Sequence, residues 1–159
     1  MSKNSFKVLR PGINTTFQDL GRDNLYHVGL PFSGAIDKRN FLIANSIITN
    51  NEDDAVLEFA YQGPLLEFSG SQTSIVITGN VNFKIIKKDN AEIKGECYRT
   101  YNLNNKDCLD IISTEKSVYG YLSVKGGFQL DKFCNSYSTT VRAEIGPNDG
   151  KKIEIGQTI

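Results

Sequence analysis

The sequence has no tryptophan, one methionine and one histidine, His27. A single histidine excludes mechanisms that need two, which include those of most zinc hydrolases. The three cysteines, Cys97, Cys108 and Cys134, are odd in number and widely spaced. Because no CxxC pair occurs, we expect neither a disulfide framework nor a metal site. This cysteine usage fits a reduced, cytoplasmic location.

Net charge and long apolar runs are also lacking. Lys+Arg and Asp+Glu each number 18, so the chain offers no electrostatic footprint for nucleic acid or for an anionic membrane. The longest apolar runs are short, such as residues 75–77, so no membrane span of about 20 residues is expected. No apolar segment follows residues 1–5, so no signal peptide is expected. A length of 159 residues predicts a single domain over residues 1–159.

The remaining pattern is mainly that of β-strands. One helix is predicted at residues 38–48, with Asp37 as its N-cap and an apolar stripe at Phe41, Ala44, Ile47 and Ile48. About ten short strands and one helix predict a closed or nearly closed β-barrel, with the helix plugging or capping it. The strand candidates are residues 6–9, 55–61, 65–68, 74–78, 81–87, 97–103, 108–112, 119–124 and 152–155.

The densest group of polar side chains lies at residues 15–22. Thr15, Thr16, Gln18, Asp19 and Arg22 supply hydroxyls, an amide, a carboxylate and a guanidinium. Such a mixture suits recognition of a small polar or carboxylate-bearing ligand, with the arginine as a bidentate anchor. The alternative is a turn in which the aspartate caps backbone amides and pairs with the arginine.

Two further features carry alternatives of the same kind. Gly34 precedes the helix start, where free backbone N–H groups can bind an anion; the alternative is an ordinary loop before an N-capped helix. Glu58 lies inside an apolar strand. Buried there, it would have a raised pKa and could act as a general base; the alternative is that it lies on a solvent face.

A hydroxyl cluster occurs near the C-terminus. Ser136, Ser138 and Thr139, with Arg142 behind them, could donate hydrogen bonds to an oxyanion or a carboxylate; the alternative is a polar turn. The paired glycines at 126–127 follow a strand and allow close backbone approach or positive φ angles. His27 is interpreted as structural rather than catalytic.

Two sets of motifs run along the chain. The first motif is Pro11-Gly12, Thr15-Thr16, Gln18-Asp19, Gly21-Arg22, Gly29, Pro31, Gly34-Ala35, Asp37 and Ala44-Asn45. The later motifs are Leu57-Glu58, Gly63-Pro64, residues 121–127, Ser136-x-Ser138-Thr139 and Arg142-Ala143. Together, over residues 8–156, these motifs resemble the biotin-dependent carboxyltransferase-like family. That family includes the C-type subunit of bacterial 5-oxoprolinase, the second allophanate-hydrolase-type subunit and the carboxyltransferase part of urea carboxylase.

The resemblance implies a cyclophilin-like β-barrel that works inside a complex. Family members are usually about twice as long, so residues 1–159 resemble the first of two halves. It implies a subunit or half-subunit of an ATP-dependent 5-oxoprolinase, which opens the lactam of 5-oxoproline to glutamate. The alternatives are a carboxyltransferase half-domain related to urea carboxylase, and a non-catalytic regulatory module that binds an operon partner.

The resemblance also implies site residues and partners. We expect a small amide or lactam substrate, companion subunits of A and B type and a second half, without which the chain would self-associate. No cofactor is expected on this chain; ATP or carboxybiotin would act through partner subunits. Tyr137 stands where the family often has arginine. Expected acid/base groups are Asp19, Asp37 and Glu58; expected substrate contacts are Thr15, Thr16, Gln18, Arg22, Gly34, Ser136, Ser138, Thr139 and Arg142.

Overall fold

The computed structural model describes residues 4–159, which form ten β-strands and one α-helix. The helix α1 spans Lys38–Ile47, between the second and third strands. Three short 3-10 turns lie at Tyr26–Val28, Val141–Ala143 and Asn148–Gly150. The strands are β1 Ser5–Arg10, β2 Thr16–Gln18, β3 Val56–Ala60, β4 Leu65–Ser69, β5 Gln72–Thr78, β6 Val81–Ile86, β7 Glu92–Lys94, β8 Thr100–Asn104, β9 Cys108–Thr114 and β10 Tyr119–Val124.

The strands form two antiparallel sheets of five strands each. The first sheet has the order β1-β4-β9-β6-β7 and the second has the order β2-β3-β10-β5-β8. The main apolar core lies between them and takes alternate residues of each strand, such as Leu57 and Phe59 from β3 and Leu109 and Ile111 from β9. The side chains of the residues in between therefore lie on the outer faces of the two sheets.

Helix α1 covers the outer face of the second sheet. Its residue Phe41 packs with Val56 and Tyr121, while Ala44 packs with Val76. Because this sheet is buried on both faces, its central strands read as nearly continuous apolar runs instead of alternating ones. The polar residues that these runs do contain are therefore enclosed, which positions the site described below.

The mainly β architecture and its single helix agree with the sequence prediction. The predicted helix ends one residue late, and Asp37 is its N-cap, because its side chain accepts a hydrogen bond from the N–H of Asn40. Gly126 and Gly127 have φ angles of 82° and 68°, as expected. A closed barrel is not formed: within residues 4–159, no strand ladder joins the two sheets.

Two strand predictions were wrong or incomplete, and two strands were not predicted. Residues 152–155 form no strand; instead the chain pairs with β1 slightly later, where Val8 N donates to Gln157 O at 2.8 Å. The strand predicted at 97–103 begins only at residue 100, because Tyr98 has a left-handed φ of 63°. Strands β2 and β7 were missed, since both are three residues long and neither shows an apolar run.

Within residues 4–159, no helix combines the length and the apolar character that crossing a bilayer requires.

A buried carboxylate holds the turn between β8 and β9. Asp107 is 2% exposed; its Oδ2 accepts hydrogen bonds from Asn104 N at 2.9 Å and Lys87 Nζ at 2.7 Å. Its Oδ1 accepts one from Lys88 N at 3.2 Å. Burial acts to raise the pKa of Asp107, but these hydrogen bonds and the lysine charge together lower it below its ordinary value.

Replacement of Asp107 by asparagine is expected to destabilise the fold in a pH-dependent way. A carboxyl whose pKa is lowered in the folded state stabilises the protein above its unfolded pKa, and this contribution is lost as pH falls through the folded pKa. Asp107→Asn should therefore cost roughly 1–3 kcal/mol at neutral pH and much less at about pH 3. Urea unfolding at both pH values measures this, with the exposed Asp89→Asn as the control; an equal loss at both would contradict it.

Candidate functional site

Asp19 is the centre of a buried polar cluster. It directly follows β2 and is 3% exposed. Its Oδ1 accepts hydrogen bonds from Gly21 N at 2.8 Å, Ser136 Oγ at 2.8 Å and Ser138 Oγ at 2.5 Å. Its Oδ2 accepts one from Tyr137 N at 2.6 Å. This Asp19 cluster joins the chain after β2 to residues more than a hundred positions later, and it occupies the carboxylate fully enough to make it a structural centre.

The amide of residue 137 explains how the motif tolerates a tyrosine there. Tyr137 contributes its backbone N–H to Asp19, whereas its ring lies 4.7 Å from Lys132 Nζ. Any residue except proline supplies the same N–H. An arginine at this position, which the family resemblance implies, is therefore not needed to hold the cluster together.

Arg22 lies beside this cluster and is 2% exposed. Its Nη1 donates to Thr140 Oγ1 at 3.2 Å, and its Nη2 donates to the carbonyl oxygen of Ser138. Burial lowers the pKa of Arg22, while the nearby Asp19 carboxylate opposes that change. Within residues 4–159, the ion pairs do not include one between Arg22 and Asp19. The alternative of a turn is thus confirmed in one respect, because Asp19 caps Gly21 N. It is wrong in the other, because Asp19 and Arg22 form no ion pair within the described residues.

A second polar group crosses four strands of the second sheet. Thr16 on β2 lies opposite Glu58 on β3, and Glu58 lies opposite Tyr121 on β10. Tyr121 in turn lies opposite Thr78 on β5. All four residues are at most 4% exposed and share the face that α1 covers. We call these four residues the polar row.

Glu58 is buried under the start of α1, as the general-base hypothesis requires. Its Oε2 accepts hydrogen bonds from Ile36 N and from Tyr121 Oη, both at 2.8 Å. Burial raises the pKa of Glu58; these two hydrogen bonds oppose the change, and the charge of Asp37 adds to it. The solvent-face alternative is wrong. Glu58 points to the face of β3 opposite to Leu57 and Phe59, and that face is covered by the helix and not exposed to solvent.

Tyr121 was not identified from the sequence. Its strand was predicted. Because neighbouring residues of a strand point to opposite faces, the sequence also indicated that Tyr121 and the core residue Leu122 lie on opposite faces of the sheet. What the sequence did not show is that β3 and β10 are neighbours, which brings the phenol to the carboxylate. Burial and the negative charge of Glu58 raise the pKa of Tyr121, so it is a proton donor throughout the ordinary pH range.

The amides that precede α1 are already occupied. The helix is N-capped by Asp37, whose Oδ1 and Oδ2 accept from Asn40 N at 3.1 Å and Asn40 Nδ2 at 2.7 Å. The alternative of an ordinary loop before an N-capped helix therefore fits, and three backbone amides after Gly34 are engaged from within the chain. The N–H groups of Ala35, Ile36 and Asp37 donate to Asp19 O, Glu58 Oε2 and Tyr121 Oη, respectively.

Three polar atoms of the first motif remain without partners. Thr15 Oγ1, Gln18 Oε1 and Arg22 Nε are fully buried and make no hydrogen bond within the described residues. Gln18 uses its Nε2 on Thr16 Oγ1 and on Thr139 O, both at 2.9 Å. Buried orphan groups cost free energy, so their concentration in eight residues marks the first motif as energetically unusual.

Arg142, a predicted substrate contact, and His27 lie outside the Asp19 cluster and the polar row. Arg142 is exposed on the 3-10 turn Val141–Ala143, and His27 is exposed on the turn Tyr26–Val28. The structure therefore gives His27 no buried structural role. Within residues 4–159, no three His, Cys, Asp or Glu side chains come together as a potential metal site.

A cavity of about 870 Å³ lies elsewhere on the molecule. Phe6, Phe17 and Phe128 line it together with Gly126 and Gly127, and none of the predicted site residues does. Among its described lining residues, Lys125 alone has a charged side chain; its Nζ donates to the carbonyl oxygens of Ile48 and Thr49 at 2.9 and 3.0 Å. The described part of this lining therefore presents no uncommitted cation.

Two glycines allow the chain to cross itself between the two polar groups. Gly21 and Gly34 have φ angles of 96° and 91°. A Cβ on Gly34 would lie 2.8 Å from Gly21 N, and one on Gly21 would lie 2.8 Å from Phe32 O. Only residues without a side chain fit this crossing, which Arg22 N closes by donating to Phe32 O at 2.8 Å.

Alanine at position 34 is expected to destabilise the fold more than alanine at position 29. Both glycines have positive φ, but a Cβ on Gly29 would meet no atom within 4 Å. Gly34→Ala should therefore lose at least about 1 kcal/mol more than Gly29→Ala. Denaturant unfolding of both variants measures the difference, and equal losses would contradict the crossing.

Loss of the Asp19 carboxylate is expected to unlink the two chain segments. Asp19→Ala should lower the free energy of unfolding by roughly 2–4 kcal/mol, because it leaves several buried donors unpaired. The exposed Asp23→Ala serves as the control. The double variant Asp19→Ala/Ser138→Ala should lose less unfolding free energy than the sum of the two single losses. The reason is that each single substitution already removes the hydrogen bond between these two side chains. Additive losses would show that the two side chains are not coupled.

Comparisons with known proteins agree with this architecture. The family model described as carboxyltransferase domain, subdomain A and B, matches residues 28–159. The crystal structure of the Kluyveromyces lactis urea carboxylase superposes with a TM-score of 0.89 at 28% identity, covering 99% of this chain and 14% of that one. This match, with the two sheets and the single helix described above, confirms the mainly β fold.

Relatives by sequence include two kinds of enzyme. The chain is 31% identical over 144 residues to the C-type subunit of 5-oxoprolinase from Haemophilus influenzae, covering 91% of this chain and 45% of the relative. It is 28% identical over 156 residues to urea amidolyase of Saccharomyces cerevisiae, covering 98% of this chain and 8% of the relative. The chain thus spans less than half of either relative. Since the family model covers most of its length, the chain belongs to the carboxyltransferase domain family of subdomains A and B.

Proposed function

We propose that this chain is part of an ATP-dependent 5-oxoprolinase complex, where it acts with companion subunits of A and B type. The observation that carries the proposal is the 31% identity to the C-type 5-oxoprolinase subunit over 91% of the chain. In such a complex the lactam of 5-oxoproline is opened to glutamate. We also retain from the sequence the proposal of a cytoplasmic location.

Glu58 is the acid/base group of this proposal. Opening a lactam by water requires a proton to leave the attacking water and a proton to reach the departing nitrogen. A carboxyl whose pKa burial has raised performs both transfers more readily near neutral pH than an ordinary glutamate does. Asp19 and Asp37, whose carboxylates are engaged in capping and loop contacts, would support the site by holding its chain segments.

The substrate contacts of this proposal come from the first motif. Gln18 Oε1 and Arg22 Nε are the buried groups with unused hydrogen-bonding capacity. An amide carbonyl and a carboxylate are the acceptors that the arginine would bind, and a lactam N–H is the donor that the glutamine oxygen would accept. Thr15, with its own unpartnered hydroxyl, lies in the same segment.

The described lining of the large cavity does not fit a nucleoside triphosphate. The large cavity offers no uncommitted cation to a triphosphate, since Lys125 is held by the end of α1. We therefore assign no ATP-dependent step to this chain and place ATP on a companion subunit.

A carboxyltransferase role is the second candidate. The superposition on urea carboxylase at a TM-score of 0.89 over 99% of the chain favours it specifically. Here the chain would be a half-domain that receives a carboxyl group, brought as carboxybiotin on another protein, and passes it to a small amide. A non-catalytic role in binding a partner protein is the remaining alternative.

Reconstitution is expected to require both this chain and its Glu58 carboxyl. The full chain is mixed with companion A and B subunits, and ATP-dependent release of glutamate from 5-oxoproline is measured with each component omitted in turn. Glu58→Gln should lower kcat by about 100-fold or more, as loss of a general acid/base does. Glu67→Gln is the matched control, because this strand glutamate is only partly buried and pairs with Lys106 on the surface.

The outcomes separate the candidates. Glutamate release without this chain would overturn the 5-oxoprolinase proposal. Carboxyl transfer from carboxybiotin to urea, in place of glutamate release, would establish the second candidate. Stable co-purification without either activity would establish the regulatory alternative.

A further inference from the structure

The hydroxyl of Tyr121 occupies a fixed place between the start of α1 and Glu58. Tyr121 is fully buried. Its Oη accepts a hydrogen bond from Asp37 N at 2.7 Å and donates to Glu58 Oε2 at 2.8 Å. A phenol has one proton, and the amide N–H already uses an acceptor position of this oxygen. The phenol proton is therefore directed to the carboxyl group.

The two oxygens of Glu58 are not equivalent. Oε2 accepts from both Ile36 N and Tyr121 Oη, so a proton on Oε2 would meet two donors. Oε1 accepts no hydrogen bond within the described residues. Glu58 as a whole is 4% exposed.

We propose that Tyr121 is a positioning residue that holds Glu58 Oε2 as an acceptor and thereby confines the exchangeable proton of Glu58 to Oε1. This deepens the proposed function, because it rests on Glu58 as the acid/base group. Oε1 then takes a proton from water or substrate as the base, and the same oxygen returns it to the leaving nitrogen as the acid.

Few charged groups near Glu58 could take over the role of the Tyr121 hydroxyl. From the chain entering α1, Asp37 faces it, and from β10 Tyr121 does. From β2 the facing residues are Thr16 and Gln18, which do not titrate. No Lys, Arg or His of residues 4–159 forms an ion pair with Glu58. Removal of the phenol is therefore not compensated.

The test is a titration of Glu58 with and without the Tyr121 hydroxyl. Side-chain carboxyl carbons of the full chain are followed by ¹³C NMR over pH, and Glu58→Gln assigns the resonance. Tyr121→Phe removes a hydrogen bond that favours the charged carboxylate, so the pKa of Glu58 is expected to rise by about 1. Tyr119→Phe is the matched control, because its hydroxyl makes no hydrogen bond within the described residues; it should leave that pKa unchanged.

The reconstituted complex provides a second readout. With Tyr121→Phe, the limb of the kcat profile that reports Glu58 should move to higher pH by the same amount. A folded Tyr121→Phe variant with an unchanged Glu58 pKa would overturn the proposal and leave Tyr121 only the structural role of accepting the Asp37 amide. If the variant fails to fold, 3-fluorotyrosine incorporation keeps the hydroxyl and strengthens its donation; the pKa of Glu58 should then fall, and no fall overturns the proposal.

The two proposals fail separately. The NMR titration needs no companion subunit and no substrate, so a shifted pKa in an inactive complex would reject the proposed function while supporting the control by Tyr121. Full 5-oxoprolinase activity together with an unchanged pKa would do the opposite.

Discussion

The carboxylate of Asp19 is the interaction on which the site depends. It is buried, and its charge is stabilised by hydrogen bonds from hydroxyls and amides that come from both ends of the chain. A buried carboxylate without partners is very costly in free energy. The chain segments that supply these hydrogen bonds are therefore expected to unfold together and not one at a time. The segment after β2, the edge of the second sheet and the hydroxyl-rich loop are thereby held in one arrangement.

Burial gives the second sheet its chemical possibilities. An antiparallel sheet usually leaves one face to water, but α1 covers the outer face here, and the polar row lies beneath it. A glutamate on an open face would keep an ordinary pKa; under the helix, Glu58 does not. The same helix start supplies the amide that partly offsets the cost, so the helix both creates and moderates the unusual carboxyl group.

Sequence reasoning identified many of the residues in the site but not their arrangement. The N-cap role of Asp37 was predicted correctly, because capping is a local interaction that a few neighbouring residues determine. Near Gly34 the sequence did not show that two residues distant along the chain, Glu58 and Tyr121, accept hydrogen bonds from the amides of Ile36 and Asp37. Arg142 matched a family motif yet lies on the surface, because a motif specifies residue order and not the direction of a side chain.

The sequence by itself determined the mainly β class, the helix with its cap and stripe, and the family, because these follow from local propensity, periodicity and residue order. Only the tertiary structure decided that the sheets stay open, that Thr16, Glu58, Tyr121 and Thr78 form one row, and that Asp19 binds Ser136 and Ser138. In this row, strand neighbours and their register join residues more than 40 positions apart, and no local pattern records such pairings.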